Sequence, residues 1–177
     1  MPDDTAPDIQ PVITKPRFMD FIRMGQAHLA ALKSDYKYGR RVGCIIVSLQ
    51  GEKISESCNH RLKSLGEPAP DTSAEQHFLE TQHAEEAALH QLSNNAWQAC
   101  KGATAYVTLC PCAKCLRNLM SAGIDHIVTY KPDFNDPKWG EGYRYGMQMM
   151  ARAGMTVTYM PRPKILHSVL KKLRMAA

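Results

Sequence analysis

The stretch ATAYVTLCPCAKCLRNLMSAGIDHIVTY (103–130) reads as strand, helix, strand in one unbroken run. ATAYVTL (103–109) is a β-rich run. Pro111 suits the first position of a helix, where the N–H it lacks would have no partner anyway. That helix runs to about Ala122 and ends at Gly123, the residue best able to take the left-handed stop. IDHIVTY (124–130) then returns as a second strand, and a helical crossover of this kind joins parallel neighbours.

Working outward, RVGCIIVSL (41–49) is a short β-branched run typical of a buried strand, and Gln50-Gly51 turns it into the more polar EKISESCN (52–59). This hairpin gives one antiparallel pair in an otherwise mostly parallel sheet. The stretch 61–80, broken by Gly66, Pro68 and Pro70, reads as a loop. HAEEAALHQL, over about 82–93, is rich in strong helix formers. Beyond Tyr130, DPKWGEG (136–142) is a turn-rich loop. GYRYGMQMMARAG (142–154) is a helix, MTVTYM (155–160) a last strand and KILHSVLKKLRM (164–175) a last helix. Before the hairpin, RFMDFIRMGQAHLAALK (17–33) places Phe18, Phe21, Ile22, Leu29 and Leu32 on one helical stripe. Strands alternating with helices predict an α/β layered domain. The acidic, proline-rich MPDDTAPDIQPVITKP (1–16) reads as a flexible arm, leaving 17–177 as one domain.

Two short patterns carry chemistry. His83-Ala84-Glu85 lies on the 82–93 helix, and Pro111-Cys112-Ala113-Lys114-Cys115 opens the next one. Cys112 and Cys115, three apart on a helix, face the same way. A helix N-terminus also favours thiolates. Two thiolates and one imidazole suit tetrahedral Zn²⁺ and leave its fourth position open, the arrangement of catalytic rather than structural sites. Glu85, two residues past His83, faces away from the ligand direction and is placed to move a proton at the open position. Cys110, at the strand end before Pro111, reads as a packed thiol, and Cys44, Cys58 and Cys100 as buried small residues. Glu86 reads as a solvated helix charge.

Composition narrows the partners. With 22 Lys+Arg against 17 Asp+Glu the net charge is +5. The whole excess falls at the C-terminal end, on Arg162, Lys164, Lys171, Lys172 and Arg174. The body is balanced, which argues against a broadly nucleic-acid-binding protein. No apolar run approaches the roughly 18–20 residues needed to span a bilayer. The first residues lack the basic and apolar regions of a secretory signal. The expectation is a cytoplasmic protein whose clustered thiols bind metal rather than form disulfides.

H-A-E followed by P-C-A-K-C matches the zinc deaminase signature H-x-E…P-C-x-x-C. From Val42 to Met160 the chain resembles the cytidine deaminase superfamily and, within it, the deoxycytidylate (dCMP) deaminases. YVTLCPCAKCLRNLMSAGIDHIVTY and HFLETQHAEEAAL are similar to that family's strand–zinc helix–strand unit and to its approach to the zinc histidine. The resemblance implies a three-layer α/β/α fold around a five-stranded mixed sheet, assembled as a homo-oligomer. It implies one zinc per chain held by His83, Cys112 and Cys115. It implies hydrolytic deamination of dCMP to dUMP and ammonia, with water activated at the metal attacking C4 and Glu85 shuttling the proton.

Further roles follow from the same resemblance. Asn59 matches the asparagine that contacts the nucleotide's sugar or phosphate, and the N–H groups of Ala84 and Cys112 are placed to hold a base carbonyl. Arg61 and Lys63, just after Asn59, are candidate phosphate contacts or a solvated basic loop. NHRLKSLGEPAPD carries one glycine where members controlled by deoxynucleoside triphosphates have a glycine-rich segment. Phe78 replaces a cysteine that helps some relatives hold a second metal. Two alternatives stay open: deamination of another base (a free or 5-substituted cytosine nucleoside or nucleotide, or tRNA adenosine), and a non-catalytic zinc-stabilised interaction domain.

Overall fold

A computed structural model describes residues 9–37, 39–69, 71–92 and 97–162. Its core is the strand–helix–strand unit: β6 (Thr104–Val107), α4 (Ala113–Ser121) and β7 (His126–Tyr130), with β6 and β7 parallel. β2 (Gly43–Val47) pairs antiparallel with both β6 and β3 (Lys53–Cys58). β8 (Thr156–Met160) adds in parallel on the far side of β7. Outside β8 lies β1 (Val12–Thr14), also parallel, so the sheet has six strands in the order β1-β8-β7-β6-β2-β3. The expected five-stranded mixed sheet therefore gains an edge strand. Residues 12–14, read as arm, lack a core-like apolar run and find their partner only because β8 offers an open edge.

Strand alternation sorts the core into two layers. Cys44, Ile46, Ala105, Val107, Ile127 and Val157 face α3 (Ala84–His90), α4 and α5 (Gly140–Arg152), where Leu116, Leu119, Met147 and Met150 are buried. Ile45, Val47, Tyr106 and Val128 face the other way, towards Met24 and Ala27 of α1 (Phe18–Ala31). The α1 stripe read from the sequence is not the packed face. Phe18, Phe21, Ile22, Leu29 and Leu32 are exposed, whereas Asp20, Met24, Ala27, Ala30 and Ala31 are buried.

Small residues face the sheet because α1 and β2 nearly touch. A Cβ on Gly43 would lie 1.9 Å from the Ala27 carbonyl oxygen and 2.7 Å from the Ala31 nitrogen. Both are backbone atoms with no rotamer to yield. Gly43→Ala should therefore destabilise the fold by about 3 kcal/mol or more, lowering Tm by roughly 10 °C. A calorimetric scan showing an unchanged Tm would refute this packing. Asp20, the one acid on the inner face, is satisfied by the Arg17 N–H at 2.7 Å and the Tyr106 hydroxyl at 2.9 Å.

The stretch 61–80 is more ordered than a plain loop. β4 (His60–Arg61) pairs with β5 (Thr81–Gln82), and between them α2 (Ala74–Leu79) starts at a Ser73–Gln76 capping box. That S-x-x-Q signal is present in the sequence. Pro111 sits one residue outside α4, because Cys112 takes the cap position. The helix expected at 164–175 lies outside the described residues.

Candidate metal centre and active site

His83 caps the N-terminus of α3 and Cys112 that of α4, so the crossover brings two helix starts together at the end of the sheet. The His83 Nδ1 lies 3.3 Å from the Cys115 Sγ and 3.7 Å from the Cys112 Sγ. One ligand atom from each of the three residues lies within 4.8 Å of the others. Tetrahedral zinc, with Zn–S about 2.3 Å and Zn–N about 2.0 Å, separates such atoms by about 3.6 Å. Donor chemistry and spacing therefore both fit the ion. Among the described residues, the group holds three ligands and leaves a fourth position open.

The thiols are electrically unlike. A hydrogen bond from Cys115 lowers the Cys112 thiol to about 4, with His83 assisting, and the same bond holds Cys115 far above the ordinary thiol range. Cys112 in turn raises the His83 imidazole. Cys110 is buried, outside the ligand group, and pushed up to about 12 by burial. Cys44, Cys58 and Cys100 are buried as well.

Glu85 points into the same cavity. Its carboxyl is buried and pushed up to about 7, chiefly by loss of solvent. Such a carboxyl exchanges protons near neutrality, the range in which acid–base catalysts work. Glu86 is not a solvated charge: it pairs with Lys114 at 2.8 Å and meets the Asn118 amide at 3.5 Å, tying α3 to α4. The partner for Glu86 lies on a different helix, so the periodicity of its own helix did not show it.

The cavity around these groups measures about 680 Å³ and is lined by Glu85, His83, Ala84, Cys112 and Asn59. Asn59 is buried and heavily engaged. Its Oδ1 accepts from the Val42 N–H at 2.7 Å and the Ser34 hydroxyl at 2.8 Å, and its Nδ2 donates to the Arg40 carbonyl at 3.1 Å. It thereby holds the 34–42 segment against β3. Arg61 and Lys63 do not line the cavity. Arg61 is paired with Glu80 at 2.5 Å and donates to the Gly66 carbonyl, and Lys63 is exposed in a short 3-10 turn.

The cations that do line the cavity are Arg40, Arg41, Lys138 and Arg162. Phe78 stands edge-on to His83 at 5.9 Å and 6.2 Å from Trp139, and the Lys138 ammonium lies over both aromatic rings. Sequence reasoning missed Lys138 and Trp139 as site residues because DPKWGEG carries only turn signals. A lysine beside a tryptophan in a Gly-rich loop was the available hint.

An α/β/α domain with an open His-Cys-Cys centre at paired helix starts, and a buried carboxyl beside it, defines the zinc-dependent hydrolytic class. The comparisons agree. The model of the cytidine and deoxycytidylate deaminase zinc-binding region matches residues 20–131, and the chain belongs to this zinc-binding family. Its fold is similar to the dCMP deaminase from the cyanophage S-TIM5 in apo form (TM-score 0.58, 20% identity), covering 82% of this chain and 99% of that one. It is also similar to Acinetobacter baumannii RibD (TM-score 0.54, 32% identity), covering 79% of this chain and 34% of that one. Among curated proteins, the riboflavin biosynthesis protein RibD of Haemophilus influenzae is 33% identical over 123 residues. That match takes in 66% of this chain and 26% of the relative's length. No helix among the described residues is long and apolar enough to cross a membrane.

Proposed function

We propose that this protein hydrolyses the exocyclic amine of a 5′-phosphorylated cytosine, with dCMP as the first substrate: dCMP and water give dUMP and ammonia. The observation that carries the reading is one cavity holding both Glu85 beside the three-ligand centre and a basic, aromatic wall. Zinc held by His83, Cys112 and Cys115 supplies Lewis acidity, which makes water a competent nucleophile near neutral pH. Glu85 takes one proton from the water and passes it to N3 as the oxygen bonds to C4. It then takes the second proton from the new C4 hydroxyl and gives it to the amine, so that C4=O forms as the C4–N bond breaks and ammonia leaves. The Ala84 and Cys112 N–H groups, at helix starts and without intrahelical acceptors, hold the base carbonyl. Phe78 and Trp139 flank the ring and keep bulk water off it. Asn59 offers its second amide hydrogen to the sugar. Arg40, Arg41 and Lys138 take the phosphate in place of Arg61 and Lys63.

A second reading is favoured by identity: 33% to the riboflavin biosynthesis protein against 20% to the dCMP deaminase. It is a deamination step in riboflavin biosynthesis. An ammonia-release panel separates the readings: dCMP, CMP, deoxycytidine, a tRNA anticodon stem and the substrate of the riboflavin-biosynthesis relatives. We expect dCMP to exceed deoxycytidine in kcat/KM by about 100-fold, since a hydrogen bond to a charged group is worth roughly 1.5–3 kcal/mol. Equal rates on the two would overturn phosphate recognition. Turnover confined to the riboflavin-pathway substrate would move the assignment to the second reading. The homo-oligomeric state and cytoplasmic setting expected from the sequence belong to this proposal.

A further inference from the structure

α1 turns its largest apolar side chains away from the sheet. Phe18 is 78% exposed, Phe21 50%, Ile22 42%, Leu29 64% and Leu32, at the helix cap, 68%. The stripe is symmetric about Gly25: Phe18 and Leu32 stand seven positions to either side of it, Phe21 and Leu29 four. Steps of four and seven return to the same helix face. Among the described residues, none accounts for Gly25: none lies within 4 Å of where its Cβ would be, and its φ is not positive. A mid-helix glycine still costs about 1 kcal/mol relative to alanine. A bare backbone at the centre of an apolar stripe is what the close approach of another helix requires.

We propose that two copies of this chain associate through α1, antiparallel, across a two-fold axis at Gly25. Phe18 of one copy then meets Leu32 of the other, Phe21 meets Leu29, and Gly25 meets Gly25. One patch serves as both halves of the contact, as a two-fold interface demands. The exposed parts of the five side chains amount to about 550 Å² per copy, on the order of the ~800 Å² that each side of a standard interface buries. The other available occupant, KILHSVLKKLRM (164–175), would bring Lys164, Lys171, Lys172 and Arg174 onto a helix whose single acid, Asp20, is buried. Self-pairing brings no charge onto the stripe. Arg23 and Lys33, at its margins, are held by the Gly51 carbonyl and by Glu56.

The proposal is independent of the substrate. Sedimentation of the full chain, at concentrations from micromolar to a hundredfold higher, should give twice the mass of one chain. Phe21→Glu and Leu29→Lys should each weaken association at least about tenfold. An equimolar mixture of the two variants should re-associate, because the introduced acid and base face each other only in the antiparallel register. Gly25→Leu should block association while raising the helix's own stability. Both charge substitutions sit on exposed positions, so unchanged thermal melts exclude misfolding. A monomer at every concentration would overturn the proposal and hand the stripe to residues 163–177. A dimer indifferent to Phe21→Glu and Leu29→Lys would overturn it too, and a mixture that stays dissociated would overturn the register.

Discussion

Glu85→Gln should keep zinc at one per chain and lower the rate of ammonia release at least about a thousandfold. The amide matches the carboxyl in size, so the buried pocket of α3 stays filled and the metal ligands stay placed. What disappears is a group able to accept and return a proton. Glu85 is the buried carboxyl that lines the cavity beside the ligand set, raised to about 7. Metal analysis alongside an ammonia assay checks both halves. Undiminished turnover with full zinc would remove Glu85 from the reaction.

The second large effect concerns the metal itself. Cys115→Ala should reduce bound zinc to below about a tenth per chain and abolish turnover, whereas Cys110→Ala should leave both intact. Cys115 is fully buried, and no other described cysteine, histidine or acid joins the group, so none can replace it. If zinc binding is worth about 10–16 kcal/mol, loss of one of three protein ligands costs on the order of 3–5 kcal/mol, about two to four decades in affinity. Because zinc binds only the folded chain, the variant's Tm should also lose its response to added zinc or chelator. A Cys110→Ala variant that loses the metal, with Cys115→Ala retaining it, would reverse the assignment of the two thiols.

The metal ligands were legible because each sits at a helix start announced by local signals: a proline before Cys112, strong helix formers after His83. Two i,i+3 thiols and one distant imidazole meet once strand, helix and strand are folded, and the 103–130 unit dictates that crossover. Glu86, Arg61 and Lys138 were harder. A carboxylate on a helix looks the same whether it faces water or a lysine on a neighbouring helix. Arg61 looked free until β4 and β5 placed Glu80 beside it. Lys138 became a site residue only because the 132–139 loop folds over the cavity towards Phe78.

By itself, the sequence determined the layered fold, the strand–helix–strand unit at its centre and the group of three candidate zinc ligands, because these rest on short-range periodicity and on helix-start chemistry. Tertiary structure decided which face of α1 is inside. Periodicity shows that a helix has an apolar face and says nothing of what lies against it. At Gly43 the sheet approaches so closely that only Ala27 and Ala31 fit beneath α1, leaving the large side chains outside. Tertiary structure likewise added β1 to the sheet edge and chose the cations that line the cavity. Pairing and pocket lining depend on residues far apart in sequence, and local patterns do not encode such neighbours.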